Sequence, residues 1–238
     1  TTVTNQWTYY VATYETGTGI MKLYANGKFV NQTTFSGTML NYGDSLMIGG
    51  SGTASYHSNV TVDDIKIYNY DRTAAQIKSD YNSQGTVKGS SVQIGSKNPL
   101  ESFSQGLVGY WKMDEASWTN DCTATSVTDS SGNANNGKAC PATTGPTGGA
   151  AGKFGNGGLI DNSNDYVSIP ALSSSPLNIT GDVTISVWVN PTAVSGTQEI
   201  VQRVSGYGLK MVGGQFTGYI WGGLEGHYST TTATAGNW

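Results

Sequence analysis

One stretch, residues 59–81, constrains the fold more than any other part of the chain. Its first half alternates apolar and polar residues, which is typical of a half-buried β-strand. The apolar positions are Val60, Val62, Ile65 and Ile67. The alternation changes phase at Asp63-Asp64, and this change predicts a β-bulge in the strand.

The second half of the same stretch predicts a short helix. Thr73 is followed three residues later by Gln76, which is the spacing of a capping box. Ile77 and Tyr81 then fall on one helical face. A strand leading into a single short helix that closes a β domain is uncommon, and here it lies in the first third of the chain.

The remainder of the 238 residues predicts short strands joined by polar turns. Only 12% of residues are charged and 33 are glycine, a composition that favours an all-β fold. Asn26-Gly27 and Gly213-Gly214 each predict a hairpin turn between two strands. Residues 183–191 alternate strongly and end at a proline, as expected of a core strand. Length alone allows one large all-β domain or two small ones.

Composition also limits the partners and the compartment. The formal net charge is −4 with 12 basic residues, which argues against binding to nucleic acid or to anionic membranes. No apolar run approaches the roughly 18 residues that span a bilayer. Low charge, abundant Thr, Ser, Asn and Gly, and a single cysteine pair favour an extracellular or cell-surface protein.

Strand and turn patterns recur at residues 23–27, 47–50, 62–69, 106–115, 129–137 and 183–191. Together these segments resemble a laminin-G-like domain of the concanavalin A-like lectin/glucanase superfamily. The resemblance implies a jelly-roll sandwich of two antiparallel sheets with one short helix.

The two halves of this resemblance occur in permuted order. Residues 1–81 resemble the C-terminal half of the jelly roll, residues 106–238 resemble its N-terminal half, and residues 82–105 read as a linker rich in Ser, Gly, Gln and Lys. The segments before Trp7 and Trp238 are similar to each other. We therefore expect a section of a tandem array, in a long extracellular repeat protein that begins before Thr1.

Two arrangements would complete the half-domains, because half a sandwich leaves its inner faces and strand edges open. The halves close on each other as one permuted domain, or neighbouring molecules complete them and the chain becomes a link in a filament. Pairing of Ile65 or Ile67 with residues 108–111 distinguishes the two. We expect this pairing within one chain.

The sequence does not predict an enzyme. The glucanase branch of the resembled superfamily places paired carboxylates on one strand face in a Glu-x-Asp-x-x-Glu arrangement, and that string is missing. The glutamates are instead scattered singly, at Glu15, Glu101, Glu115, Glu199 and Glu225. His57 and His227 accompany no recognisable nucleophile elbow.

The resemblance implies a structural calcium where the opening strand, a polar turn and the closing strand meet. The candidate ligands are Asp114, Asp129, Asn133 and Asp64, whose oxygens suit a hard cation. The alternative is that Asp129 forms an Asx-turn, while Asp63 and Asp64 meet solvent or backbone amides.

Aromatic residues near the C-terminal end are candidates for a glycan platform. They are Tyr219, Trp221, His227 and Tyr228, with Tyr207 and Trp188 nearby in sequence. The alternative is that these rings fill the sandwich core, which needs aromatic residues in any case.

Cys122 and Cys140 bracket the polar loop. Their spacing excludes a CxxC redox motif, and a zinc site lacks further ligands. A disulfide closing about 17 residues contributes on the order of 3 kcal/mol; the alternative is a pair of free buried thiols.

These observations favour a non-catalytic adhesion or carbohydrate-binding module, with a glycan or a cell-surface protein as partner. The alternative is a structural subunit of an extracellular filament or surface layer, whose partners are other copies of itself. An exposed aromatic patch with amide neighbours would favour the first. Inner faces left open in the lone chain would favour the second.

Overall fold

The computed structural model describes residues 2–40, 43–50, 56–84, 104–161, 164–170, 174–221 and 228–232. These residues form fifteen β-strands and one helix. The strands are β1 Thr8–Glu15, β2 Ile20–Ala25, β3 Lys28–Thr34, β4 Leu46–Ile48, β5 Val60–Tyr68, β6 Leu107–Trp111, β7 Lys138–Cys140, β8 Thr147–Ala151, β9 Asn156–Ile160, β10 Tyr166–Ile169, β11 Val183–Pro191, β12 Thr197–Arg203, β13 Tyr207–Val212, β14 Gln215–Trp221 and β15 Tyr228–Thr232. The helix, α1, is Ala74–Gln84.

The strands form two antiparallel sheets, which confirms the predicted all-β sandwich. The first sheet has the order β3-β2-β1-β11-β5-β9-β8, with β6 also paired to β5. The second sheet has the order β15-β14-β13-β12-β4-β10-β7. Consecutive strands form hairpins in both sheets, but the pairs β1-β11, β11-β5, β12-β4 and β4-β10 join segments that are distant in sequence, so the fold depends on long-range pairing.

The main core lies between the two sheets and follows the alternation of the strands. In β11, Val183, Ile185, Val187 and Val189 face the core and are at most 2% exposed. Trp188 points to the opposite face of the first sheet, where α1 covers it. Residues of one strand therefore serve two apolar layers, because successive side chains point to opposite faces.

The phase change in β5 is a bulge, as predicted. Asp63 pairs with Trp188 and Lys66 pairs with Ser186, so two residues of β5 face one of β11. Asp64 has a φ of 50°, in the left-handed region. The extra residue restores the alternation, so that Val62 and Ile65 both reach the core.

Both predicted hairpin turns have the backbone that two-residue turns require. Asn26 and Gly27 have φ values of 48° and 75° and connect β2 to β3. Gly213 and Gly214 have φ values of 55° and 77° and connect β13 to β14. Positive φ at both central positions matches the right-handed twist of the flanking strands.

Strand β5 joins the two parts of the chain. Ile65 pairs with Trp111 and Ile67 pairs with Gly109 in β6, within the same chain. On its other side β5 pairs with β11. The strand pairing that distinguishes a closed domain from half-domains is thus intramolecular in this structure.

Helix α1 begins with the predicted capping box. The Thr73 backbone N–H donates to the Gln76 side chain at 2.9 Å, and the Gln76 N–H donates to the Thr73 hydroxyl at 3.3 Å. Ile77 is fully buried, and Tyr81 stacks on Trp188 with ring centroids 5.7 Å apart. The helix therefore covers the outer face of the first sheet through the two residues that the sequence places on one face.

A buried ion pair fastens the helix to β5. Arg72 donates to Asp80 at 2.8 Å, and the two side chains are 1% and 4% exposed. The Arg72 guanidinium also lies 4.3 Å from the centre of the Tyr68 ring. Burial raises the pKa of Asp80, and the Arg72 charge opposes this effect.

The helix continues to Gln84, three residues past the expected end of the first half-domain at residue 81. Most of the linker predicted at residues 82–105 lies outside the described residues. Within the described part of the chain, no helix has the length and apolar character needed to cross a bilayer.

Cys122 and Cys140 form a disulfide, with Cα atoms 4.9 Å apart. We expect replacement of both cysteines by serine to lower the free energy of unfolding by about 2–4 kcal/mol, because the unfolded chain loses a closed loop. Urea unfolding with and without reductant measures this. The double variant is the control, since reductant should leave it unchanged; equal stability of oxidised and reduced wild type would contradict the prediction.

Candidate functional site

The candidate site is a groove of about 500 Å³ on the outer face of the second sheet. Strands β12, β13 and β14 form its floor. Its lining residues are Tyr56, Thr197, Glu199, Gln202, Val204, Ser205, Lys210, Val212, Tyr219 and Trp221. The residues that alternate with them in β13 and β14, such as Leu209 and Phe216, face the sandwich core.

A bulge in β12 places two polar side chains side by side in the groove. Glu199 pairs with Lys210, but Val201 pairs with Leu209, so Ile200 is an extra residue in β12. Ile200 and Val201 are both fully buried in the core. Glu199 and Gln202, three positions apart, therefore share the outer face, which regular alternation would forbid.

Tyr219 lies flat across β13 and forms part of the floor. Its hydroxyl donates to Glu199 Oε2 at 3.0 Å, although Tyr219 is in β14 and Glu199 is in β12. The ring passes over Gly208, where a Cβ would lie 2.4 Å from the ring's Cζ atom. Lys210 Nζ lies 4.8 Å from the ring centre. Glycine at position 208 is thus required for the tyrosine to reach the glutamate.

The groove holds a carboxyl group in an unfavourable environment. Glu199 is only 5% exposed, and burial raises its pKa to about 7, against the opposing effects of Lys210 and of the Tyr219 hydrogen bond. Burial and the Glu199 charge together raise the pKa of Tyr219 well above 10. Gln202 hydrogen-bonds to Tyr219, while its buried Oε1 atom has no protein partner. Such groups are frequent at functional sites.

Stability should depend on pH through Glu199. The folded state holds the proton more tightly than the unfolded state, whose pKa is near 4.5, so stability falls as pH rises from about 4.5 to about 7. We expect Glu199→Gln to raise the free energy of unfolding at pH 8 by on the order of 1–3 kcal/mol, with little change at pH 4.

Urea unfolding at both pH values measures this effect. Asp63, whose pKa burial also raises to about 7, adds a similar dependence to every variant, so the comparison of Glu199→Gln with wild type isolates Glu199. Glu15→Gln, at the end of β1, is the matched control, with an expected change within about 0.5 kcal/mol. A destabilised Glu199→Gln protein at pH 8 would contradict the prediction.

The structure brings together two of the four predicted aromatic and histidine residues. Tyr219 and Trp221 both line the groove, with Tyr219 buried and Trp221 half-buried. The backbone of Tyr228, in β15, pairs with that of Trp221, in β14. His227 lies outside the described residues. The nearby Tyr207 is buried in the core, and Trp188 lies on the other sheet.

The residues predicted to bind calcium mainly accept or donate hydrogen bonds within the protein. Asp129 accepts four, from the backbone N–H groups of Tyr110, Ser131 and Asn135 and from the Ser131 hydroxyl. These fill the acceptor positions of its carboxylate. Asp129 therefore does not fit as a calcium ligand and forms the Asx-turn that was the alternative.

The other three predicted ligands have separate partners. Asp64 accepts from the Tyr110 hydroxyl at 2.6 Å, Asp114 accepts from the Asn156 N–H at 3.2 Å, and Asn133 donates to the Ser131 hydroxyl at 3.1 Å. Among the residues that the structure describes, no three His, Cys, Asp or Glu side chains are grouped to hold a metal ion. Calcium held by these three residues stays a prediction.

Comparison with known families covers the first third of the chain. Residues 1–78 match the concanavalin A-like lectin/glucanases superfamily, through its Laminin_G_3 model. The laminin-G-like match contains β1–β5 and the first part of α1. Together with the disulfide, it is consistent with a secreted protein.

The laminin-G-like match does not extend to the strands of the groove, β12–β14. No curated protein and no solved structure matches the chain. The permuted order of the two halves stays a prediction.

Sequence reasoning missed Glu199, Gln202 and Lys210 as site residues. Glu199 counted only as one of the scattered glutamates. A signal for it was present, since Ile200 and Val201 are adjacent apolar residues between polar neighbours. Burial of both places Glu199 and Gln202 on one face.

Proposed function

We propose that this chain is a non-catalytic carbohydrate-binding module that uses the groove on its second sheet. The observation that carries the proposal is that one half-buried ring, Trp221, lines the same groove as the buried Glu199 and the half-buried Gln202. Sugar rings stack their apolar faces on aromatic side chains and direct their hydroxyls to amides and carboxylates. Trp221, Gln202 and Glu199 supply these three kinds of group within one groove.

The size and the shape of the groove support this proposal. About 500 Å³ is within the range of small-molecule sites, which combine apolar walls with a few placed polar groups. Tyr56, 46% exposed, and Val212, 42% exposed, provide apolar surface at the rim. The superfamily match of residues 1–78 includes lectins by its description.

Binding is a better proposal than catalysis for this groove. Glu199 is the only carboxylate among its described lining residues, whereas glycoside hydrolysis uses a pair of carboxylates about 5–10 Å apart. The intramolecular pairing of Ile65 with Trp111 supports a self-contained module over half-domains that neighbours complete.

Binding of the purified chain to an array of neutral and acidic oligosaccharides tests the proposal. We expect Trp221→Ala to weaken any glycan bound by wild type by about tenfold or more, the usual loss for an aromatic anchor. Trp118→Ala is the matched control, because Trp118 is also half-buried but packs on Gly148 and Gly158 of the first sheet. It should keep wild-type affinity.

Three results would contradict the proposal. The first is that wild type binds no glycan on the array, and the second is that Trp221→Ala binds as tightly as wild type. The third is that wild type releases reducing sugar from a bound glycan and Glu199→Gln abolishes that release, which would make Glu199 a catalytic residue.

A further inference from the structure

The charge of the groove floor depends on one proton. Glu199 and Lys210 are the only side chains among the described lining residues that ordinarily carry charge at neutral pH. They lie opposite each other in β12 and β13. With Glu199 ionised the pair is neutral, and with Glu199 protonated the groove carries one positive charge, in a chain of formal net charge −4.

The surrounding structure holds the Glu199 carboxyl group at the floor of the groove, where its proton sets the local charge. The β12 bulge turns the carboxyl group to the outer face, and the Tyr219 ring covers the adjacent sheet surface up to Oε2. The backbone beneath is fixed as well, because the Ser58 hydroxyl donates to the Glu199 carbonyl at 2.7 Å. The glutamate therefore remains at the floor of the groove in either protonation state.

The other titratable groups among the described lining residues are Lys210 on β13, Tyr219 on β14 and Tyr56 before β5. The hydrogen bond from Tyr219 and the charge of Lys210 act directly on Glu199. Desolvation outweighs both, so that Glu199 titrates near neutral pH.

We propose that the groove selects sugars that carry a carboxylate, with Lys210 binding the sugar's carboxylate and protonated Glu199 donating a hydrogen bond to the ligand. This inference rests on the proposed function and names the ligand class of the same groove. An ionised Glu199 would repel the ligand's carboxylate at close range, and two carboxylates at one site favour sharing a proton. Above the pKa of Glu199, binding therefore takes up a proton from solution.

Proton uptake predicts a specific pH dependence. Above the pKa of Glu199, about 7, each pH unit should weaken binding of an acidic sugar by up to about tenfold, because the protonated fraction falls tenfold. Below that pKa the affinity should level off. A neutral sugar of the same ring structure needs no protonated Glu199 and should bind with a much smaller slope.

Calorimetric titration with two probes tests this inference: a glucuronate-containing oligosaccharide and its carboxyl-reduced counterpart, between about pH 5.5 and pH 8.5. We expect the acidic probe to bind more tightly at the lower pH and the reduced probe to bind weakly throughout. Glu199→Gln should remove the pH slope for the acidic probe, because glutamine presents an N–H donor at every pH in this range.

Lys210→Met should weaken the acidic probe by tenfold or more and leave the reduced probe unchanged. Lys112→Met is the matched control, because Lys112 is exposed and follows β6 of the first sheet. A melting temperature at or above that of wild type for each variant shows that the loss is not due to unfolding.

The outcomes separate this inference from the proposed function. Preferential binding of the reduced probe, or a pH slope that persists in Glu199→Gln, would overturn acidic-sugar selection and leave carbohydrate binding in place. Binding of no glycan on the array would overturn both. An acidic-probe slope lost in Glu199→Gln and an affinity lost in Lys210→Met would support the inference.

Discussion

Arg72→Met is expected to lower the free energy of unfolding by about 3–5 kcal/mol, the usual result of removing one partner from a buried ion pair. Arg72 and Asp80 are 2.8 Å apart and nearly inaccessible to solvent. Without the guanidinium, Asp80 must stay buried with an uncompensated charge or take up a proton. Because Arg72 also lies against Tyr68, the substitution loosens the contact between α1 and β5.

Urea unfolding at neutral pH measures this loss. Lys78→Met is the matched control on the same helix, because Lys78 is exposed, and its effect should be within about 0.5 kcal/mol. Arg72→Met with Asp80→Leu should recover much of the lost stability, since neither position then holds a buried charge without its partner. A single Arg72→Met variant as stable as wild type would show that the pair makes no net contribution.

Trp111→Ala should lower the free energy of unfolding by about 3–5 kcal/mol, because it empties a large volume in the core. Trp111 is fully buried, and its indole N–H donates to the Asn135 carbonyl at 2.8 Å. The substitution also leaves this carbonyl without its donor. Because Trp111 pairs with Ile65, the damage lies where β6 joins β5.

Phe29→Ala is the control for this core substitution. Phe29 is also aromatic and also lies in a strand of the first sheet, but it is 52% exposed. Its loss should cost less than about 1 kcal/mol. A Trp111→Ala protein that unfolds at the same urea concentration as Phe29→Ala would contradict the assigned core role of Trp111.

The sequence determined the local features of this fold. The phase change at Asp63-Asp64, the Thr73 and Gln76 cap and the Asn26-Gly27 turn were all readable without coordinates. Each depends on residues within a few positions of one another, where side-chain spacing and backbone preference act directly. The all-β class followed from many such features that agreed with one another, and the sandwich architecture followed from the laminin-G-like resemblance.

The predicted calcium site shows what local sequence patterns leave undecided. The sequence placed Asp129 in a polar turn, and two interpretations of that turn were open. The structure decided between them at Asp129. The backbone N–H of Tyr110, in β6 and nineteen residues away in sequence, donates to the Asp129 carboxylate and occupies one of the acceptor positions of that carboxylate. Whether a carboxylate has an acceptor position left for a cation depends on such distant donors.

Only the tertiary structure assembled the groove and its buried glutamate. Tyr219 and Trp221 were identifiable as aromatic candidates, but Tyr207, named as a neighbour of theirs in sequence, is buried in the core. The position and the raised pKa of Glu199 require a bulge in β12, a glycine in β13 and a tyrosine in β14 in one register. Desolvation is set by everything around a group, and its neighbours here come from three strands. The sequence thus determined which strands form, and the pairing of those strands decided where a charge is buried.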